Sequence, residues 1–276
     1  MAIQSREALT MPVRYLGNGR MDHSLSQSIA ARDWFYEFDL PNGLVAPCRT
    51  PEHVKPIHPT RLQMLWDALD PYAAARGGWD QLSAIDIACH QGYFSTQLAR
   101  RGAREVLGID ARPEHIADAE LIRQAYGLDN LRLEQHDIYE VKPAQLGRFD
   151  LVVCYGLLYH VEHPVGLLRL CRELIGPNGG ACVVETQVVP NMSGTVDWGS
   201  YEYVQPLHGV FGLIDESHET HVPEASTTGI CMAPSIEGLI WLMKKVGFKS
   251  VTRIAPPENA YEQHRFNKRV VVAGYV

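Results

Sequence analysis

From residue 83 onward, short apolar runs alternate with longer amphipathic stretches. Runs of five or six residues bounded by turns are typical of buried strands, and the stretches between them have the apolar spacing of helices. The predicted strands span 83–88, 106–110, 131–135, 150–154 and 181–185. The predicted helices between them span 93–102, 113–126, 141–146 and 163–175. This alternation predicts βαβ units around a parallel sheet.

The C-terminal part of the chain breaks the alternation. A predicted helix at 234–246 is followed by apolar runs at 249–254 and 269–276, with no helix-length segment between them. We therefore expect these two strands to form an antiparallel pair at or near the sheet edge. The predicted fold is α/β and Rossmann-like, with a seven-stranded, mostly parallel sheet that ends in an antiparallel strand pair.

Three regions fall outside this pattern of strands and helices. Residues 1–21 form a polar, flexible tail in this interpretation. Residues 22–78 are predicted to be helical with a break at Pro41-Asn42-Gly43, either as a lid on the domain 79–276 or as helices packed against it. Residues 188–232 are an insertion after the fifth strand without a clear period, and such long stretches are usually lids or substrate walls.

Composition and charge narrow the class of protein. The 276 residues carry a formal net charge of −7, and a surface for nucleic acid or anionic membrane needs dense Lys and Arg, so neither partner is expected. No apolar run approaches the roughly 20 residues that span a bilayer, and no secretion signal is recognisable. The six cysteines include no CxxC pair. This favours reduced thiols in the cytoplasm, without disulfides or a metal site.

Three successive predicted strands end near a carboxylate, where open α/β sheets bind ligands. Asp86 precedes a turn that ends at Gly92, and Asp110 lies eighteen residues after that glycine. Asp110 can accept both hydroxyl hydrogens of a ribose. After the third strand, Asp137 suits an adenine amine and Ile138 suits a ring face. The alternative is that these aspartates only cap strand ends.

The first turn distinguishes between two candidate ligands. A dinucleotide such as NAD needs bare backbone around its pyrophosphate, usually as G-x-G-x-x-G. Here Ala88, His90 and Gly92 occupy the comparable positions, so only one glycine is present. S-adenosylmethionine (SAM) has no phosphate, and its ribose, amine and positive sulfur suit the three carboxylates. SAM is therefore the predicted cofactor.

Over roughly residues 80–276 the chain resembles the class I SAM-dependent methyltransferases. The first motif of that family is matched from Asp86 to Gly92, and its fourth motif is matched by 149–156. The resemblance implies that Asp110 binds the ribose and Asp137 the adenine. The predicted cofactor-binding residues are Asp86, Ala88, Gly92, Asp110, Ala111, Asp137, Ile138, Cys154 and Tyr155.

A closer likeness rests on three segments. They are WFYEFDLPNG at 34–43, GLLYH at 156–160, and MAPS at 232–235 followed by an amphipathic helix and Gly-Phe. Together they are similar to the tRNA wobble-uridine carboxymethyltransferase branch and its small-molecule methyltransferase relatives. The likeness concerns ancestry more than substrate.

Methyl transfer from a sulfonium depends mainly on positioning, which can supply on the order of 7–11 kcal/mol. A base is needed only if the acceptor loses a proton. His160 is the predicted base because imidazole titrates near neutral pH, although it could instead cap the helix near 163 or pack on the sheet. Tyr159 is predicted to orient cofactor or substrate. The predicted catalytic residues are thus His160 and Tyr159, and the predicted substrate-binding residues are Trp34, Tyr36, Trp198, Tyr201, Tyr203 and Arg265.

Two further groups of residues have more than one interpretation. His218 and His221 have a spacing that resembles metal ligands, but they do not form an H-E-x-x-H motif and are interpreted as solvated loop residues. Near the C-terminus, Tyr261, His264, Arg265 and Arg269 could close over the cavity mouth. Arg265 would then meet an anionic substrate group, or else it forms an ordinary surface salt bridge.

The leading hypothesis is a SAM-dependent methyltransferase acting on an O, N or C atom of a small molecule. The first alternative is an enzyme that transfers a carboxymethyl group from a carboxylated SAM derivative to a tRNA wobble uridine. The acidic charge and the lack of a basic stripe oppose it. The second alternative is a SAM-binding protein without catalysis.

Overall fold

A computed structural model describes residues 23–197, 199, 205–216, 226 and 229–276. The helices are α1 (His23–Ala30), α2 (Ile57–Ala75), α3 (Tyr93–Arg101), α4 (Pro113–Tyr126), α5 (Pro143–Leu146), α6 (Pro164–Leu174), α7 (Ile236–Lys245) and α8 (Glu262–Arg265). The strands are β1 (Ser83–Ile87), β2 (Glu105–Asp110), β3 (Leu131–Gln135), β4 (Leu151–Tyr155), β5 (Ala181–Gln187), β6 (Gly194–Val196), β7 (Gln205–Leu207), β8 (Phe211–Asp215), β9 (Ile230–Pro234), β10 (Ser250–Ile254) and β11 (Arg269–Tyr275). From β1 onward the predicted alternation is confirmed.

The main sheet has seven strands in the order β10-β11-β5-β4-β1-β2-β3. Strands β1 to β5 run parallel, whereas β11 is antiparallel to both β5 and β10, as predicted. Every residue of β1 and of β4 is buried, which explains why these strands are continuous apolar runs rather than alternating ones. The strand order reverses beside β1, between β2 and β4, and open sheets of this kind bind ligands at that point.

Helices cover both faces of the sheet and divide the core in two. One face packs against α2, α3 and α4 through side chains such as Leu65, Leu98 and Ile122. The other face packs against α6 and α7 through Leu168 and Met243, among others. In α6, Pro164 occupies the first turn and buried apolar residues follow at helical spacing, so the local sequence and the packing favour the same helix.

The N-terminal region is helical only in part, which corrects the prediction for 22–78. Residues 31–56 lack α-helix, and four prolines between 41 and 56 remove helical hydrogen bonds in the second part of this segment. Trp34, Tyr36, Phe38 and Leu40 are buried at alternate positions, which is the period of an extended chain. These side chains belong to the same core cluster as the sheet, which supports the alternative of a segment packed on the domain. A lid function stays a prediction.

The described part of the insertion contains strands, where the sequence shows no period. Strands β6 and β7 form one antiparallel pair, and β8 and β9 form another. Strands of three to five residues are too short to show an alternation in the sequence. Strand β9 packs on the 3-10 turn Leu158–His160 that follows β4. The hairpin therefore covers the carboxyl end of β4.

Several predicted residues lie outside the described part of the chain. They are Trp198, Tyr201, Tyr203, His218 and His221. Among the described helices, none is long and apolar enough to cross a membrane.

Candidate active site

A cavity of about 290 Å³ opens at the carboxyl ends of the central strands, where the strand order reverses. It brings together most of the residues that the sequence predicts for the site. Those that line it are Tyr36, Ala88, Asp110, Ala111, Asp137, Ile138, Tyr155, Tyr159 and His160. The cavity therefore joins the predicted cofactor residues and the predicted catalytic residues in one space.

The turn after β1 has an unusual backbone. Ala88 and His90 adopt positive φ angles of 56° and 52°, a conformation that favours glycine. Such residues typically cost on the order of 1–3 kcal/mol and cluster at functional sites. Gly92 has a φ of 76°, and a Cβ atom there would lie 2.8 Å from the Cβ of Ala119. The turn therefore has left-handed backbone at all three positions, although only one of them is glycine.

Asp110 lies at the end of β2 with its carboxylate fixed from several sides. Its oxygens accept hydrogen bonds from the backbone N–H of His90 at 2.9 Å and of Arg112 at 3.0 Å, and His115 Nδ1 lies 3.1 Å away. Burial raises the pKa of this carboxyl. His115 and the two N–H groups lower the pKa by more than burial raises it, so the pKa lies below its ordinary value. Asp110 is therefore an ionised hydrogen-bond acceptor at neutral pH.

Three predicted cofactor residues do not line the cavity. Asp86 is fully buried and accepts a hydrogen bond of 2.7 Å from Ser95 Oγ, so it ties α3 to β1. Burial raises the pKa of Asp86 to about 7, against the lowering effect of Ser95. Gly92 packs on α4, and Cys154 lies in the apolar core. Asp86 and Gly92 thus shape the turn and the Cys154 side chain lies in the core, while direct contacts of these residues with a cofactor stay a prediction.

Of the predicted substrate-binding residues that the structure describes, some line the cavity and others do not. Tyr36 lines the cavity and stacks on Tyr93, with ring centroids 4.7 Å apart. The indole of Trp34 is fully buried and donates its N–H to the Ile29 carbonyl at 2.8 Å, so it faces the core instead. Arg265 is exposed, lies over the Phe266 ring and does not line the cavity. The structure thus brings only Tyr36 to the site among these three.

The N-terminal segment is fastened to the first turn by Gln91, which the sequence analysis missed. Its side-chain amide accepts a hydrogen bond from the Phe35 N–H at 2.8 Å and donates to the Asp33 carbonyl at 2.9 Å and to Asp118 at 3.0 Å. Phe35 and Tyr36 are thereby held against the cavity.

A buried charged network forms the floor beneath Tyr159, and most of it was also missed. Glu185, near the carboxyl end of β5, is contacted by Arg269 at 2.6 Å, Arg61 at 3.0 Å and His264 at 3.2 Å. Burial raises the pKa of Glu185, but the two guanidinium groups hold it well below its ordinary range. Arg269 also donates to the Tyr159 hydroxyl at 3.4 Å. The signal available in the sequence was a charged residue, Arg269, at the start of the apolar run 269–276.

A second cluster lies beside His160. Its Nδ1 atom is 2.7 Å from Oε2 of Glu216, and the Cys231 thiol donates to the same oxygen at 3.1 Å. Burial raises the pKa of Glu216, but hydrogen bonds from the Ser226 N–H, Cys231 and His160 bring it below its ordinary value. Burial and the nearby carboxylate raise the pKa of the Cys231 thiol to about 12. Glu216 and Cys231 come from the insertion, where no sequence motif marks them.

The fold and the cavity define a class of protein, and comparison with known proteins agrees. A family model described as "Methyltransferase domain" matches residues 80–219, about half of the chain. The chain therefore belongs to the methyltransferase domain family. This membership confirms the predicted methyltransferase domain.

The chain is also similar to named relatives. It is 32% identical over 138 residues to a ubiquinone biosynthesis O-methyltransferase of Psychrobacter cryohalolentis, which covers 47% of this chain and 53% of that protein. Over 103 residues it is 32% identical to the enzyme of the same name from Acinetobacter baumannii strain AYE, covering 37% and 43%. The chain spans about half the length of the curated relatives it matches.

Solved structures confirm the fold. The N-terminal domain of EvdMO1 with S-adenosylhomocysteine (SAH) bound matches with a TM-score of 0.64 and 19% identity, over 94% of this chain and 99% of that one. A SAM-dependent methyltransferase from Mesorhizobium loti matches with a TM-score of 0.50 and 19% identity, over 71% and 91%. At these identities the likeness establishes the class I methyltransferase fold.

Proposed function

We propose that this chain transfers a methyl group from SAM to a hydroxyl oxygen of a small molecule. The observation that carries the proposal is the single cavity that joins Asp110 at one end to Tyr159 and His160 at the other. Bound SAM would supply a methyl group on a positively charged sulfur, which is already an activated leaving group. The chain's own residues then have to bind, orient and exclude water.

The cavity residues fit this cofactor. Asp110 is ionised and buried, so its carboxylate would accept the ribose hydroxyl hydrogens. Asp137 and Ile138 line the cavity beyond β3 and would meet the adenine amine and ring face. Tyr155, at the end of β4, also lines the cavity.

The choice of an oxygen acceptor is supported by the relatives. Two of them are named O-methyltransferases, and the EvdMO1 domain was also crystallised in the presence of SAH and D-fucose, a molecule with several hydroxyl groups. Transfer forms an oxygen–carbon bond and breaks the sulfur–carbon bond, while the acceptor oxygen loses its proton. Tyr159 and His160 would contact the acceptor at this end of the cavity. That His160 serves as a general base stays a prediction.

The alternative of carboxymethyl transfer to tRNA has one observation in its favour. Arg61 and Arg269 both line the cavity and share the single carboxylate of Glu185, so a carboxylated donor would meet a cationic wall. The net charge of −7 opposes tRNA binding. We also propose a cytoplasmic location, which the six free cysteines support.

The test is a methyl-transfer assay with labelled SAM and a set of small hydroxyl compounds, phenols and sugars included. In parallel, bulk tRNA is titrated in a gel-shift assay at several salt concentrations. We expect label in a small product and no tRNA complex at physiological ionic strength. Tight, salt-sensitive tRNA binding, or transfer only from the carboxylated donor, would contradict the proposal.

A further inference from the structure

Three side chains with different metal-binding atoms meet at the edge of the cavity. His160 belongs to the turn after β4, Glu216 directly follows β8, and Cys231 lies on β9. Their Nδ1, Oε2 and Sγ atoms are separated by 2.7, 3.1 and 3.9 Å. One imidazole, one carboxylate and one thiol thus surround a single point, which the packing of β9 on the turn fixes.

In the described part of the chain, His160 is the only side chain that could carry a positive charge next to the Glu216 carboxylate. The Glu216 side chain is only 8% exposed, and Cys231 is buried as well. Within the described part of the chain, the ion pair with His160 is the only one that Glu216 forms, and Ser226 and Cys231 contribute neutral donors. A buried carboxylate is stable when a cation compensates it. The surroundings of Glu216 therefore favour a cation.

We propose that His160, Glu216 and Cys231 bind one divalent cation of the zinc type. Imidazole, carboxylate and thiolate are the ligands that Zn²⁺ takes in proteins, whereas Mg²⁺ and Ca²⁺ prefer oxygen alone. Tetrahedral Zn²⁺ would place the three atoms about 3.4–3.6 Å apart. The observed separations lie on both sides of that range, so a side-chain shift of less than about 1 Å admits the ion.

The position of the cluster gives the cation a role in the reaction. His160 and Ser226 line the cavity, so a fourth coordination position would face the acceptor. Catalytic zinc sites typically have three protein ligands and one such open position. In this role, which rests on the proposed function, the cation would polarise the acceptor hydroxyl and favour the loss of its proton.

Binding is tested on the full chain after treatment with a chelator. We expect one Zn²⁺ per chain in calorimetry, and with Co²⁺ an absorption band from thiolate-to-metal charge transfer. Cys231→Ser should abolish the band. Glu216→Gln should weaken Zn²⁺ binding by at least about a hundredfold, since changes to outer-shell groups alone cost roughly 10–100-fold.

Two matched variants serve as controls. Cys48→Ser removes a thiol that donates to the Phe35 carbonyl, and His208→Gln removes an imidazole stacked on Trp241. Both should keep the band and the affinity, and circular dichroism checks the folding of every variant. The Co²⁺ spectrum of the unmodified chain tests the proposal even if a variant fails to fold.

The proposal is overturned if the unmodified chain binds neither ion stoichiometrically, or if the band survives in folded Cys231→Ser. The cluster would then be a hydrogen-bonded group in which Glu216 only orients His160. SAH titration of the same samples separates the two proposals. SAH binding without cation binding overturns the cation site alone, whereas the absence of SAH binding contradicts the proposed function.

Discussion

The two ends of the cavity are the proposed cofactor end at Asp110 and the proposed acceptor end at Tyr159 and His160, and they are built differently. At the cofactor end, Asp110 is fixed by backbone N–H groups of the turn after β1 and of its own strand end. At the acceptor end, the functional side chains are positioned by other side chains that are distant in sequence. His160 contacts Glu216, 56 residues away, and Glu185 contacts Arg269, 84 residues away. The sheet itself therefore shapes the cofactor end, whereas the acceptor end depends on contacts between distant segments. Substitutions at the two ends should have different consequences.

The largest effect is expected from the charged network at the acceptor end. Glu185→Ala leaves Arg61 and Arg269 buried without their shared carboxylate, which should lower the free energy of unfolding by about 3–5 kcal/mol. Urea denaturation measures the change. Glu105→Ala, which removes a half-exposed partner of Arg132, is the control and should cost only about 0–1 kcal/mol. Equal losses in the two variants would show that the network does not support the acceptor end.

The next effect separates turnover from cofactor binding. His160→Ala should reduce methyl transfer by about 10²–10⁴-fold, the usual range for a group that assists proton removal, while SAH affinity stays nearly unchanged. Labelled-SAM assays and calorimetry give the two quantities. His163→Ala is the matched control, because this exposed histidine lies three residues further on and outside the cavity. A parallel loss of SAH affinity would mean that His160 belongs to the cofactor end.

A smaller effect depends on pH and on Asp86, which is buried beneath the turn after β1. The pKa of this carboxyl is raised from 3.8 to about 7, so the folded state binds more protons than the unfolded chain between these values. The stability that Asp86 contributes is therefore complete below pH 3.8 and is lost as the pH rises through about 7, by up to about 4 kcal/mol.

Denaturation of the cofactor-free protein across this pH range tests the prediction. Asp86→Asn should remove this part of the pH dependence, because an amide does not titrate. Asp129→Asn, at an exposed position, should keep the profile of the unmodified chain. Identical profiles for the unmodified chain and Asp86→Asn would show that Asp86 is ionised like an ordinary surface carboxylate.

The same contrast explains what the sequence could predict. Strands β1 to β5 and Asp110 follow from apolar runs and their ends, because sheet geometry brings strand ends together without further information. The alternate burial of Trp34, Tyr36 and Phe38 was hidden, since the residues between them include another aromatic, Phe35. The hydropathy along this segment therefore does not alternate, although the burial of its side chains does.

The acceptor end could not be predicted in the same way. His160, Glu216 and Cys231 are up to 71 residues apart, and no local spacing connects them. Searching for CxxC or H-E-x-x-H patterns finds only ligands that lie close in sequence. Likewise a substrate contact is predicted from the sequence for Arg265, which is exposed outside the cavity, whereas Arg269, four residues later, is buried and lines it. Only the packing of the hairpin and of β11 determines these contacts.

The smallest of the four effects tests the central claim, that Asp110 marks the cofactor end of a SAM site. Calorimetry with SAH should show one site per chain, and Asp110→Ala should weaken it by about 1.5–3 kcal/mol, roughly ten- to a hundredfold, through loss of charged hydrogen bonds. Asp129→Ala should bind SAH like the unmodified chain, and NAD should not bind measurably to any of the three. Unchanged SAH affinity in folded Asp110→Ala would contradict the account.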